Sequence, residues 1–195
     1  KATEFKASRI DPEALMQTCR VATESAPGLD GWYPKDLALL SDYAMVKLAD
    51  LLNCIEEGAD WPEHMFTTRA VFLSKDPDDT KNPLAYRMLK ITTAIYRRWA
   101  STRMHDLEDW ITSWYDCAIC VGVLGKGAQD AWYLTALQNE LNSYSGNDTA
   151  GGSIDVYKCF DQVNRALLKK LALAAGMPER ICNPYFKFIN SMESC

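Results

Sequence analysis

Asp155 stands between Ile154 and Val156, and a carboxylate inside an apolar run is costly to bury unless something pairs with it. Two readings follow from the residues alone. One is an acid at a strand end that faces water or a neighbouring donor. The other is an oxygen ligand for a hard cation such as magnesium, which takes carboxylates and few protein ligands. Asp161 follows six residues later, just after Phe160, where it suits a helix N-cap or first-turn acid as well as a chemical role. Cys117 and Cys120 have metal-type spacing. A structural zinc site wants four ligands, and the only histidines, His64 and His105, are isolated. Residues 122–127 are glycine-rich (Gly-Val-Leu-Gly-Lys-Gly) but lack the Gly-Lys-Ser/Thr ending of a phosphate-cradling loop.

The charges are segregated. Between Phe66 and His105 eight Lys/Arg face three Asp, a local charge of +5, within a chain whose net charge is −5. Arg69, Lys75, Lys81, Arg87, Lys90, Arg97, Arg98 and Arg103 supply it. A focused positive surface can bind a polyanion whatever the overall sign, although the same charges also suit a solvated helix face.

The elements that must position these groups are legible from capping and periodicity. With 195 residues, 48% of them hydrophobic and 24% charged, the chain has the make-up of a folded domain rather than a disordered or fibrous one. No run approaches the roughly 18 apolar residues of a membrane span. The seven cysteines are odd in number and scattered, which fits free thiols in a reducing, intracellular setting.

Asp11-Pro12-Glu13 predicts a helix from there to about Ser25, and Ala26-Pro27-Gly28-Leu29-Asp30-Gly31 predicts a tight loop. Apolar residues from Leu37 to Ile55 recur at helical spacing up to Gly58. Thr67 to Ser74 and Tyr86 to Thr93 read as two strands around a charged, mobile tip, a β-hairpin spanning about 66–93. One long helix is predicted from Ala94 to Trp114, another from Ala128 to Tyr144, and a short strand at Ser153 to Tyr157. Helices at Asn164 to Ala175 and from Glu179 onward complete an α+β chain without βαβ regularity or repeats.

Asp155-Val156-Tyr157-Lys158-Cys159-Phe160-Asp161 resembles motif A of reverse transcriptases, in the form written by non-LTR retrotransposon and group II intron enzymes. Other blocks resemble that family in the same order. Pro27-Gly28-Leu29-Asp30-Gly31 is similar to its Pro-Gly-x-Asp-Gly loop. Val71 to Lys75 and Tyr86 to Leu89 resemble its fingers hairpin, with Met88 where the family has proline. Residues 122–127 resemble its Gly-Phe-x-Pro-Gly block, with Val123 for phenylalanine, and Gly176-Met177-Pro178 its short segment after motif A.

The resemblance implies residues 1–115 as fingers and 116–195 as a partial palm that stops before motifs B and C. It implies an RNA-directed DNA polymerase, a nucleotidyltransferase using two magnesium ions when complete, with the fragment itself inactive. Asp155 would be the catalytic metal ligand, joined by the backbone carbonyl of Val156. Lys75 and Arg87 would hold the deoxynucleoside triphosphate, and Phe160 would exclude a ribose 2′-hydroxyl. Gly28, Asp30, Gly31, Arg69, Arg97 and Arg98 would contact the RNA template and primer. The alternatives are an RNA-dependent RNA polymerase and a non-catalytic binding module of the same fold. A cut palm also predicts self-association through exposed apolar surface.

Overall fold

The computed structural model describes residues 2–116, 118–123, 125–156 and 159–194. Two compact units emerge, one formed by residues 1–106 together with 172–195 and the other by 107–171. These limits differ from the sequence division at 115/116, because the C-terminal segment folds back onto the N-terminal part.

The first unit begins with helix α1, Pro12–Arg20. Asp11 caps it, its carboxylate accepting from the Ala14 amide at 3.0 Å, and Pro12 opens the first turn. It buries Leu15, Met16, Thr18 and Cys19. α1 stops at Arg20, five residues short of expectation. Residues beyond it turn away to dock elsewhere in the unit. The apolar run from Leu37 also starts later than expected, with a 3-10 turn, Asp36–Leu39, preceding helix α2, Asp42–Glu56. Ser41 caps α2, which buries Met45, Ala49, Leu52, Asn53, Ile55 and Glu56 at i, i+4, i+7 spacing. Asn53 clips the entering chain, accepting from the Ile10 amide at 2.8 Å and donating to its carbonyl at 3.1 Å.

Strands β1, Thr67–Ser74, and β2, Tyr86–Ile91, form the expected antiparallel hairpin, with Arg69 opposite Ile91 and Leu73 opposite Arg87. The connection is laced with hydrogen bonds. The Asp76 carboxylate accepts from Asp78 N, Asn82 donates to Asp79, and the Tyr86 hydroxyl donates to the Thr80 carbonyl.

Helix α3, Ala94–Asp106, ends where a single helix was expected to continue. A separate helix α4, Glu108–Trp114, begins after Leu107. At the last turn of α3, Arg103 donates to the Asp106 carboxylate at 2.5 Å. Helix α7, Glu179–Ser191, packs back against α2 and leads into a strand that the sequence did not announce, β3, Glu193–Ser194. β3 pairs parallel with β1 at Thr67 and Thr68, giving a three-stranded sheet in the order β2-β1-β3.

The core of this unit joins aromatic and ionic packing. Trp61, Tyr96, Trp99 and Phe188 cluster with centroids 3.6 to 5.6 Å apart, Tyr96 stacked on Phe188. Beside them Glu56, whose side chain is fully buried, accepts from Trp99 Nε1 at 2.8 Å, from Arg103 Nε at 2.6 Å and from Arg180 Nε at 3.1 Å. Burial alone would lower the affinity of Arg103 for its proton. Hydrogen bonds and charge from Glu56, then from Asp106, reverse that and hold it above the ordinary arginine value. The network ties α2, α3 and α7 into one body.

The second unit carries α4, helix α5, Ala128–Tyr144, and most of helix α6, Arg165–Ala174. None of the three buries a described side chain. Trp132 is 73% exposed, and Tyr133, Leu134, Leu141, Leu167 and Leu171 are also exposed. The short strand expected at Ser153 to Tyr157 does not form over 153–156, which is irregular. A strand requires a neighbour to take its amides and carbonyls, and this unit holds no other strand among the described residues. Tyr157 lies outside them.

Candidate functional site

The hairpin presents a group of exposed cations on the first unit. Side chains alternate across a strand, and directly opposed residues share a face. Arg69, Val71 and Leu73 therefore lie with Ile91, Leu89 and Arg87, two guanidinium groups at the ends of an apolar strip. The pairs Ala70–Lys90, Phe72–Met88 and Ser74–Tyr86 make up the other face. Four residues of strand separate Arg69 from the level of Arg87, a rise of roughly 13 Å. Arg69, Arg87 and Lys90 are exposed, and among the described residues none of them is ion-paired. Lys75 sits just beyond β1. Its amide donates to the Ala85 carbonyl at 2.7 Å and its ammonium lies 3.4 Å from the Leu84 carbonyl.

Gly28, Asp30, Gly31, Arg97 and Arg98 come together at the base of that hairpin. The Gly31 amide donates to the Gly28 carbonyl at 3.2 Å, closing a tight turn, and Gly31 has φ +72°, a conformation that glycine adopts without strain. Gly28 is buried against the end of β2, where a Cβ would lie 2.8 Å from the Thr92 carbonyl oxygen. The Asp30 carboxylate accepts from the Ala94 amide at 2.8 Å, capping α3 from outside the helix. Arg97 donates to the Ser25 hydroxyl at 3.0 Å and Arg98 to the Thr18 carbonyl at 2.9 Å. Burial lowers the proton affinity of both guanidinium groups. Asp30 partly offsets this for Arg97, and the neighbouring Arg98 adds to it. These two arginines, expected to face a template, hold backbone and hydroxyl oxygens of their own unit.

Asp155 and Val156 belong to the second unit and are described apart from the hairpin. Both are exposed, and so is Ile154 at 94%, so the apolar residues around the carboxylate do not bury it. Among the described residues no group of three or more His, Cys, Asp or Glu side chains could hold a metal ion. Asp155 and the adjacent carbonyl supply hard oxygens of the type magnesium takes. Phe160 lies in the 3-10 turn Cys159–Gln162, and its side chain, like that of Asp161, lies outside the described residues, as does Cys117 of the cysteine pair.

Gly127, the last residue of the glycine-rich segment, adjoins the start of α5. At the start of α5 the Asp130 carboxylate accepts from the Gly127 amide at 2.7 Å, so a fixed negative charge occupies the end of the helix that would attract an anion. Sequence reasoning counted Lys90 in the basic stretch without giving it a role, and it overlooked Ser25 as the partner of Arg97. Three-residue spacing within a strand places Lys90 on the face opposite Arg87, which was readable from the period of two. The Ser25 contact spans 72 residues of sequence and carries no local signal.

Among known proteins, no family model matches the chain and no curated sequence is significantly similar to it. No helix among the described residues is long and apolar enough to cross a membrane.

Proposed function

We propose that this chain is the fingers and the first part of the palm of an RNA-directed DNA polymerase, and that the β1–β2 hairpin is its surface for triphosphate and template. The observation that carries the reading is the hairpin itself. It places Lys75 at the end of one strand and Arg87 on the other, with exposed cations on an otherwise acidic chain. An ammonium on a flexible stem and a planar guanidinium suit a triphosphate, the first as a point charge and the second by bidentate hydrogen bonding.

Asp155 and the Val156 carbonyl would hold part of a magnesium ion, the rest of whose oxygens come from water and phosphate. Bound magnesium stabilises charge that develops on the transferred phosphoryl group. Asp155 would contribute a carboxylate oxygen, Lys75 and Arg87 would orient the polyphosphate, and the resemblance gives Phe160 the role of excluding a ribose 2′-hydroxyl. Two-metal chemistry takes more than one carboxylate, so synthesis would require further acids besides Asp155.

Titration of the chain with a magnesium–deoxynucleoside triphosphate tests the reading. Binding is expected to weaken at least tenfold in Lys75→Ala/Arg87→Ala, because charged hydrogen bonds contribute about 1.5–3 kcal/mol each. In the continuous parent polypeptide, Asp155→Asn should abolish magnesium-dependent DNA synthesis without lowering thermal stability. Nucleic-acid binding with no synthesis from that polypeptide would assign the chain instead to a binding module.

A further inference from the structure

The hairpin joins the rest of its unit through two legs, and each is clipped at its base by a residue distant in sequence. On the β1 leg, Thr68 is fully buried and its hydroxyl donates to the Glu193 carbonyl at 2.8 Å, beside the two-residue pairing with β3. On the β2 leg, the strand ends at Ile91 and α3 begins at Ala94. The loop from Ser25 to Gly31 closes over this junction. Gly28 lies against the Thr92 carbonyl, Asp30 caps the Ala94 amide, and Arg97, one turn into α3, bonds back to Ser25. Asp30 and Arg97 are also close enough to interact electrostatically. The loop thus grips the first turn of α3 from its amide end and from its side.

We propose that Asp30 is a positioning residue, which sets the orientation of the hairpin and hence of Lys75 and Arg87, and does so by capping α3 rather than by touching nucleic acid. That its cations meet a triphosphate rests on the function proposed above. The clasp itself rests only on the contacts within the unit. Arg97 completes it from the helix side, and Gly28 allows it by leaving no side chain between loop and strand.

Hydrogen exchange of the 195-residue chain tests the clasp without reference to catalysis. Asp30→Ala should accelerate amides of residues 67–74 and 86–94 about fivefold, the size expected from loss of one helix cap, while amides of α2 and α7 keep their rates. Asp30→Asn, which retains an oxygen acceptor for the Ala94 amide, should restore most of the protection. Uniform acceleration throughout the unit, or no change in the hairpin, would overturn the proposal. A second arm titrates magnesium–deoxynucleoside triphosphate. Weaker binding by Asp30→Ala, recovered in Asp30→Asn, supports positioning, and unchanged binding by a loosened hairpin overturns it. If the wild type binds no triphosphate, the polymerase reading fails while the exchange pattern still decides whether Asp30 orients the hairpin.

Discussion

Charge at a residue does not tell whether that charge faces solvent. Arg87 and Arg69 stand exposed on the hairpin, whereas Arg97 and Arg98 are partly buried and bonded to Ser25 and Thr18. The two pairs should respond oppositely to truncation. Arg69→Ala/Arg87→Ala is expected to leave the thermal midpoint nearly unchanged, as surface substitutions do. It should also reduce the salt slope of RNA binding by roughly one unit per lost phosphate contact. Arg97→Ala/Arg98→Ala should do the reverse, costing about 1–3 kcal/mol for the charged hydrogen bonds lost to Ser25 and Thr18 and leaving the salt slope intact. Calorimetry and filter binding on both variants separate the roles, and an unchanged midpoint in the second variant would show that its contacts are dispensable. Cysteines divide in the same way. Cys54 and Cys159 are exposed, while Cys19 is buried and its thiol is pushed up by desolvation, partly countered by Arg98 and Thr18. Alkylation should modify the first two in the native state and reach Cys19 only on unfolding.

At the scale of elements, the decisive contact is between helices far apart in sequence. Glu56 of α2 receives Trp99 and Arg103 of α3 and Arg180 of α7, and Trp61 donates to the Pro184 carbonyl in the middle of α7 at 3.0 Å. Removing one partner of a buried ionic group leaves the others uncompensated. Glu56→Ala should therefore cost about 3–5 kcal/mol, measured as a shift in the urea midpoint at constant slope. Replacing the exposed Glu57, which pairs with Arg9 at the surface, should cost about 1 kcal/mol or less. Equal effects at the two positions would mean that the buried network contributes no more than a surface pair.

For the whole molecule, the two units predict how the chain comes apart. Residues 145–156 are exposed and without regular structure, and they lie within the second unit, so a protease should cut there first. The piece carrying α7 should then stay with the N-terminal piece, because the Glu56 network, the β1–β3 pairing and the bond from Ala2 N to the Ala174 carbonyl are all intact. Co-elution of both pieces on size exclusion is the expected result. Their separation under native conditions would show that these contacts do not suffice to hold α7. The apolar faces of α5 and α6 are what make self-association an expectation for that unit.

The sequence by itself determined the local elements. The Asp11-Pro12 cap, the two strands of the hairpin and the limits of α5 all follow from propensity, capping and periodicity, which act over a few residues. It also identified which residues carry charge at the hairpin. Only the tertiary structure decided the ends of α1 and α3, the pairing of β3 with β1, and the contacts of the Gly28–Gly31 turn. These depend on contacts between residues roughly 60 to 125 positions apart, whose partners leave no periodic trace along the chain. A capping carboxylate and a template-binding carboxylate look identical in one dimension. They differ in what lies 2.8 Å away, and for Asp30 that is the amide of Ala94.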